Sequence, residues 1–233
     1  MFYHVDIHAG GNMKVLYEDN HIIVVDKDVN IPIQEDSSKD EDLLTIVKKY
    51  LKEKYNKKGN VYLGLVQRLD RPVSGVCIFA KTSKAASRLS ETIRTKSIKK
   101  QYIAVIDGVI KKKEDTFTDY LLKDTKTNMV KVSSKGKKST LSYKVLATKN
   151  NKTLVLIDLE TGRPHQIRVQ FSSRNYPLYG DQRYNKKAIK KEQIALHSYS
   201  LTITHPTTKK QMTFKSLPKR MPFNSYDLDS LLK

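Results

Sequence analysis

The chain has 233 residues, long enough to bury a substantial core as one large domain or two small ones. Lys and Arg total 44 against 24 Asp and Glu. The resulting charge of +20 suits a polyanion, because neutralising phosphates releases counterions. No apolar run approaches the roughly 18–20 residues that cross a bilayer, so no membrane segment is expected. The amino end lacks the basic head and apolar stretch of a secretory signal. Cys77 is the only cysteine and cannot form an internal disulfide, which fits a cytoplasmic protein. Charge does not choose between DNA and RNA, and a run such as "KKYLKEKYNKKG" also reads as the solvated face of a helix.

Residues 1–12 read as an extension or loose arm, and 13–233 as one domain with no linker and no internal repeat. "KVLYEDNHIIVVDK" predicts two short strands broken at "EDN". "DEDLLTIVKKYLKEKY" carries Leu43, Leu44, Val47, Tyr50, Leu51 and Tyr55 at helical spacing. "LGLVQ" and "GVCIFA" predict buried strands on either side of "RLDRPVS". A helix follows over "SKAASRLSETIRTK", with Ser83 as its N-cap, and then a strand over "KQYIAVIDGVI". "KDTKTNMVKVSSKGKKST" reads as a mobile basic loop, and "STLSYKVLATKNNKTLVLIDLE" as a hairpin about "KNNK". "TGRPHQIRVQF" places Pro164 where the first turn of a helix accepts it. A last hairpin spans "IALHSYSLTITHPTTKKQMTFKSL". More hairpins than βαβ units point to an α+β fold with a mainly antiparallel sheet and flanking helices.

Most familiar chemical signatures are missing. No glycine-rich phosphate loop follows a strand, and Cys77 lies in an apolar run as a core residue. His165, His197 and His205 fall on separate segments without a cysteine or acidic cluster, so no metal site and no cofactor are expected. Two charged clusters beside apolar strands remain. One is Asp70, flanked by Arg68 and Arg71. The other is "TGRPHQIR", which carries Arg163 and Arg168. Alone, Asp70 reads equally well as a turn carboxylate. A buried Asp that stays ionised needs a cation, and both Arg163 and Arg168 are candidates.

These residues carry a resemblance. "QRLDRPVSGVCIFAKT" resembles the RluA-family pseudouridine synthase signature "HRLDxxTSGxxxxAK". "KKQYIAVIDG" is similar to that family's "KxYxAxVxG", and "TGRPHQIRVQFSSRNYPLYGDQRY" to "TGRxHQIRxHxxxxGxPLxGDxxY". "ALHSYSLTITHP" matches its late strand, and the blocks occur in family order over residues 14–218.

The resemblance implies the pseudouridine synthase fold with a central active-site cleft. It also implies isomerisation of uridine in structured ribosomal or transfer RNA without a cofactor or metal, by a monomer. Asp70 would be the nucleophile, at the sugar or at the ring. Arg168 would pair with it, Tyr102 would stack on the uracil, and Arg68 would help extrude the nucleotide. Gln67, Arg163, His165 and Gln166 would contact RNA. Gln67, Val73, Gln170 and Asn175 depart from the family pattern and touch substrate contacts more than the reaction. The alternative is a non-catalytic RNA-binding protein on the same fold, against which Asp70, Tyr102 and Arg168 all stand.

Overall fold

The computed structural model describes residues 5–8, 12–95 and 97–233. The expected arm thus lies partly outside the described residues, while Val5–His8 forms a strand. In chain order the first strands are β1 Val5–His8, β2 Asn12–Glu18 and β3 Ile22–Lys27. Helix α1 Leu43–Lys54 follows, then β4 Gly64–Leu65, β5 Ser74–Ala80 and α2 Ser83–Arg94. Next come β6 Lys99–Asp107, β7 Glu114–Lys123, β8 Val130–Val132, β9 Lys137–Lys149 and β10 Lys152–Leu159. Helix α3 Gln166–Ser172, strands β11 Leu196–Thr204 and β12 Gln211–Lys215, and a short α4 Leu228–Leu231 complete the list. None of these helices is long and apolar enough to span a membrane.

Backbone packing divides the chain into two compact units, residues 1–98 with 198–216 and residues 99–197 with 217–233. In the first unit the sheet order is β1-β2-β3-β5-β11, with β4 added to β5 and β12 to β11. Its registered pairs are all antiparallel. Ile22, Val24, Val76, Ile78 and Ala80 share one core with Ala85 and Leu89 of α2. The alternate residues Ile23, Val25, Cys77 and Phe79 are equally buried. β3 and β5 are thus covered on both faces, which is why Ile22–Val25 and Val76–Ala80 are unbroken apolar runs. Gly75 has φ +114, and a Cβ there would stand 2.3 Å from the Ser198 carbonyl, so only glycine fits between β5 and its neighbour.

Two ionic knots brace this unit. Glu18 accepts bonds from Tyr50 (2.9 Å) and from Lys54, Tyr55 and Lys81 (2.7 Å each). Burial alone would raise its pKa, but these donors bring it down to about 2. Lys27 is only 1% exposed, and its ammonium donates to the carbonyls of Asp28 (2.9 Å), Ile31 (2.8 Å) and Arg71 (3.0 Å). Burial lowers its pKa to about 8. Between that value and the unfolded ~10.4 the unfolded chain holds the extra proton. Lys27 should therefore contribute stability that climbs with pH across that window, opposed from about pH 8.5 by Cys77, whose thiol burial pushes up to about 12. Lys27→Met should cost about 2–5 kcal/mol at neutral pH by stranding the carbonyls. The stability difference between wild type and Lys27→Met should widen with pH above pH 8, as chemical denaturation of both at several pH values would show.

In the second unit the order is β6-β10-β9-β7-β8. The β9–β10 hairpin closes through Asn150 and Asn151, with φ of 51 and 53, the paired left-handed residues of a type I′ turn. Three expectations need correction. The supposed mobile loop over 123–140 contains β8, and β9 begins within it. Asp124 caps its turn by accepting the amides of Lys126 and Thr127, and Gly136 lies where a Cβ would strike the Leu121 backbone. Thr82, not Ser83, caps α2, its side chain accepting the Ala85 amide at 3.1 Å. Pro164 lies ahead of the first turn of α3 because His165 adopts a left-handed φ of 50 and delays the helix to Gln166.

Candidate functional site

In the first unit the chain leaves β4 through Gln67 and Arg68 and turns at Asp70-Arg71-Pro72-Val73, the Val73 amide donating to the Asp70 carbonyl at 2.9 Å. Leu69 is buried and anchors the turn, Asp70 is half-buried and Arg68 is exposed. Lys27 fixes the same turn from beneath through the Arg71 carbonyl. The Arg71 guanidinium is taken up by Asp40 and, at 3.6 Å, by Asp36. The Gln67 amide donates to the Val76 carbonyl at 3.1 Å, while its buried Oε1 has no hydrogen-bond partner. Asp70 is thus carried on a loop tied down at both ends.

In the second unit Tyr102 is a buried residue of β6, opposite Ile157 of β10. Arg168 stands on α3, whose residues Gln166–Phe171 are all buried. Its guanidinium is gripped edge-on by Asp181, Nε to Oδ2 at 2.9 Å and Nη2 to Oδ1 at 2.7 Å. Side-chain exposures of 7% and 0% make this a buried, bidentate ion pair. Asp181 also accepts the amides of Arg183 (3.0 Å) and Tyr184 (3.3 Å). The Tyr184 ring lies 5.2 Å from the Arg168 guanidinium carbon, and its hydroxyl meets His165 Nδ1 at 2.7 Å. Arg168 therefore has fixed orientation and little rotamer freedom.

The three residues expected at an RNA-facing edge differ in setting. Arg163 is exposed and His165 half-buried. Gln166 is 3% exposed and spends its amide on Thr161, the Arg163 amide, the Thr140 carbonyl and Gln170. Sequence reasoning assigned no role to Asp181 or Tyr184. Their only signal is the "GDQRY" string, which alone reads as a turn. Asp181→Ala removes the carboxylate from a buried pair and should cost about 3–5 kcal/mol, measurable by urea denaturation. Asp181→Asn keeps an acceptor and should cost less. Of the other histidines, His205 Nδ1 accepts the Thr207 and Thr208 amides, so Nε2 carries the proton that reaches Asp19 at 2.8 Å. Among the described residues no three His, Cys, Asp or Glu side chains are grouped to hold a metal.

Residues 21–173 match the family model described as RNA pseudouridylate synthase. The chain is 32% identical over 212 residues to ribosomal large subunit pseudouridine synthase C of Buchnera aphidicola subsp. Baizongia pistaciae, covering 86% of this chain and 65% of that protein. It is also 32% identical over 221 residues to the uncharacterized RNA pseudouridine synthase YjbO of Bacillus subtilis, covering 90% and 74%. The structure superposes on human RNA pseudouridylate synthase domain containing 4 with a TM-score of 0.75 at 21% identity, over 94% of this chain and 92% of that one. This is the α+β pseudouridine synthase fold. The chain belongs to the RluA-type RNA pseudouridine synthase family. It spans about two thirds of the length of the Buchnera relative.

Proposed function

We propose that the protein isomerises uridine to pseudouridine in ribosomal RNA, with Asp70 as nucleophile. The observation that carries this reading is the "RLDR" turn, which holds a half-buried aspartate on a braced loop inside the matched region. The reaction breaks the bond from the ribose anomeric carbon to the ring nitrogen, rotates the base and rejoins it through carbon. The proton lost at that carbon is balanced by one gained at the freed nitrogen, so neither oxidant nor energy source is consumed. Asp70 forms the transient covalent bond, at the sugar or at the ring. Tyr102 stacks on the detached uracil and assists the late proton removal. The Arg168 guanidinium supplies the fixed positive charge that aims the reacting carboxylate. Arg68 occupies the place of the extruded nucleotide, since the glycosidic bond is out of reach within a stack.

The names of the curated relatives favour ribosomal RNA of the large subunit over transfer RNA. A cytoplasmic site of action fits that substrate. Pseudouridine mapping of total RNA from cells with and without the gene tests the reading. A position lost from large-subunit RNA is the expected result, and a loss confined to transfer RNA would reassign the substrate. An unchanged map would overturn the proposal.

A further inference from the structure

Away from Asp70, at the far end of β5, the first unit carries a small cleft of about 210 Å³ whose walls include Leu51, Tyr55, Val61 and Tyr62. Its polar lining is Asn20, Lys57, Lys81 and Thr82, with no carboxylate among them. Tyr55 and Tyr62 are 46% and 50% exposed, two large rings left open on one surface. That volume lies below the roughly 300–1,000 Å³ of pockets that enclose a drug-sized ligand, and suits one planar ring. Tyr55 is held in place by its bond to Glu18, with the Lys81, Lys54 and Lys57 ammoniums 4.7, 5.6 and 5.9 Å from its centroid. Lys54 and Lys81 share the single Glu18 carboxylate, while Lys57 has no carboxylate partner among the described residues. An aromatic slot rimmed by an unneutralised cation is the arrangement that stacks a base and holds its phosphate.

We propose that this cleft binds an unpaired nucleotide of the substrate RNA, remote from the uridine that reacts; the inference rests on the RNA-modifying reading above. β5 runs Ser74–Ala80 from the Asp70 turn to Lys81 and Thr82, a strand of 7 residues. At about 3.3 Å per residue it separates the two places by roughly 23 Å. One RNA touching both is gripped over several nucleotides, so the cleft sets affinity and leaves the chemistry alone.

The test is binding of a fluorescent oligouridylate of about a dozen nucleotides, followed by anisotropy at several salt concentrations. Tyr62→Leu removes the ring and should weaken binding about 5- to 100-fold, while Tyr62→Phe keeps the stack and should bind as the wild type does. Lys57→Gln should lower the slope of log affinity against log salt by about 0.7, the value for one phosphate on a single strand. Steady-state kinetics on ribosomal RNA should show a raised KM and an unchanged kcat for Tyr62→Leu and Lys57→Gln. Wild-type affinity in both Tyr62→Leu and Lys57→Gln overturns the cleft and leaves the isomerase reading standing. An equal loss in Tyr62→Phe and Tyr62→Leu also overturns it, because the ring would then not be what binds. Failure of the wild-type protein to bind RNA at all would remove both.

Discussion

Asp70→Asn should abolish pseudouridine formation while the protein stays folded and keeps its affinity for RNA. The substitution preserves the side chain's shape and one acceptor oxygen, and it removes the charge that makes the carboxylate a nucleophile. Loss of a nucleophile from a comparably organised site costs on the order of 10⁶ in turnover, which would leave nothing above background. Folding should survive because the turn is held by backbone and neighbours: the Val73 amide on the Asp70 carbonyl, buried Leu69 beneath, and Lys27 on the Arg71 carbonyl. A single-turnover assay on ribosomal RNA checks this, with circular dichroism and filter binding on the same preparation. Measurable product from a pure Asp70→Asn sample would withdraw the assignment.

Arg168→Met should reduce turnover by roughly 10²–10³-fold, the usual cost of deleting one preorganised charge at a reacting centre. Methionine keeps much of the length and loses both the charge and the planar fork. Arg168→Lys should recover only part of the loss, because an ammonium cannot match the two-pronged grip that Asp181 makes on Nε and Nη2. The same grip complicates the measurement. Arg168→Met leaves Asp181 buried with its two amide donors but without its cation, and about 3–5 kcal/mol of stability goes with it. Asp181→Asn is the control: its stability loss is separable from any loss of rate, so the two effects can be compared at matched folded fraction. A folded Arg168→Met protein that turns over at the wild-type rate would remove Arg168 from the chemistry.

The sequence was most readable where burial and pattern agreed. Ile22–Val25 of β3 and Val76–Ala80 of β5 are unbroken apolar runs because both faces are covered, and the "NN" of the β9–β10 turn announces its own geometry. β7 was not legible. Only Phe117 and Leu121 are apolar and inward along its first eight residues, while Asp119, which a pattern reading places in solvent, is held by Arg174 and Gln170. At the site, "RLDR" and "HQIR" identify themselves by motif. The partner of Arg168 within its own unit lies in the same matched block, as the Asp181 of "GDQRY", but the block alone does not say which cation that carboxylate meets. Gln166 shows the same limit from the other side: a motif glutamine reads as a contact residue, and its buried amide is consumed by Thr161, Thr140 and Gln170.

The first unit is interrupted in sequence, closed only by residues 198–216 after the whole of 99–197. β5, its most buried strand, takes one of its two central neighbours from that late segment, and Gly75 is shaped to receive Ser198. During synthesis, then, an apolar strand waits with one edge covered only by the short β4 until the ribosome has delivered residues 99–197. Such an edge invites pairing with other chains, and long-range closure of this kind is slow. A nascent chain halted before β11 should therefore be sticky and protease-sensitive, and the last hairpin acts as the lock on a nascent chain's folding.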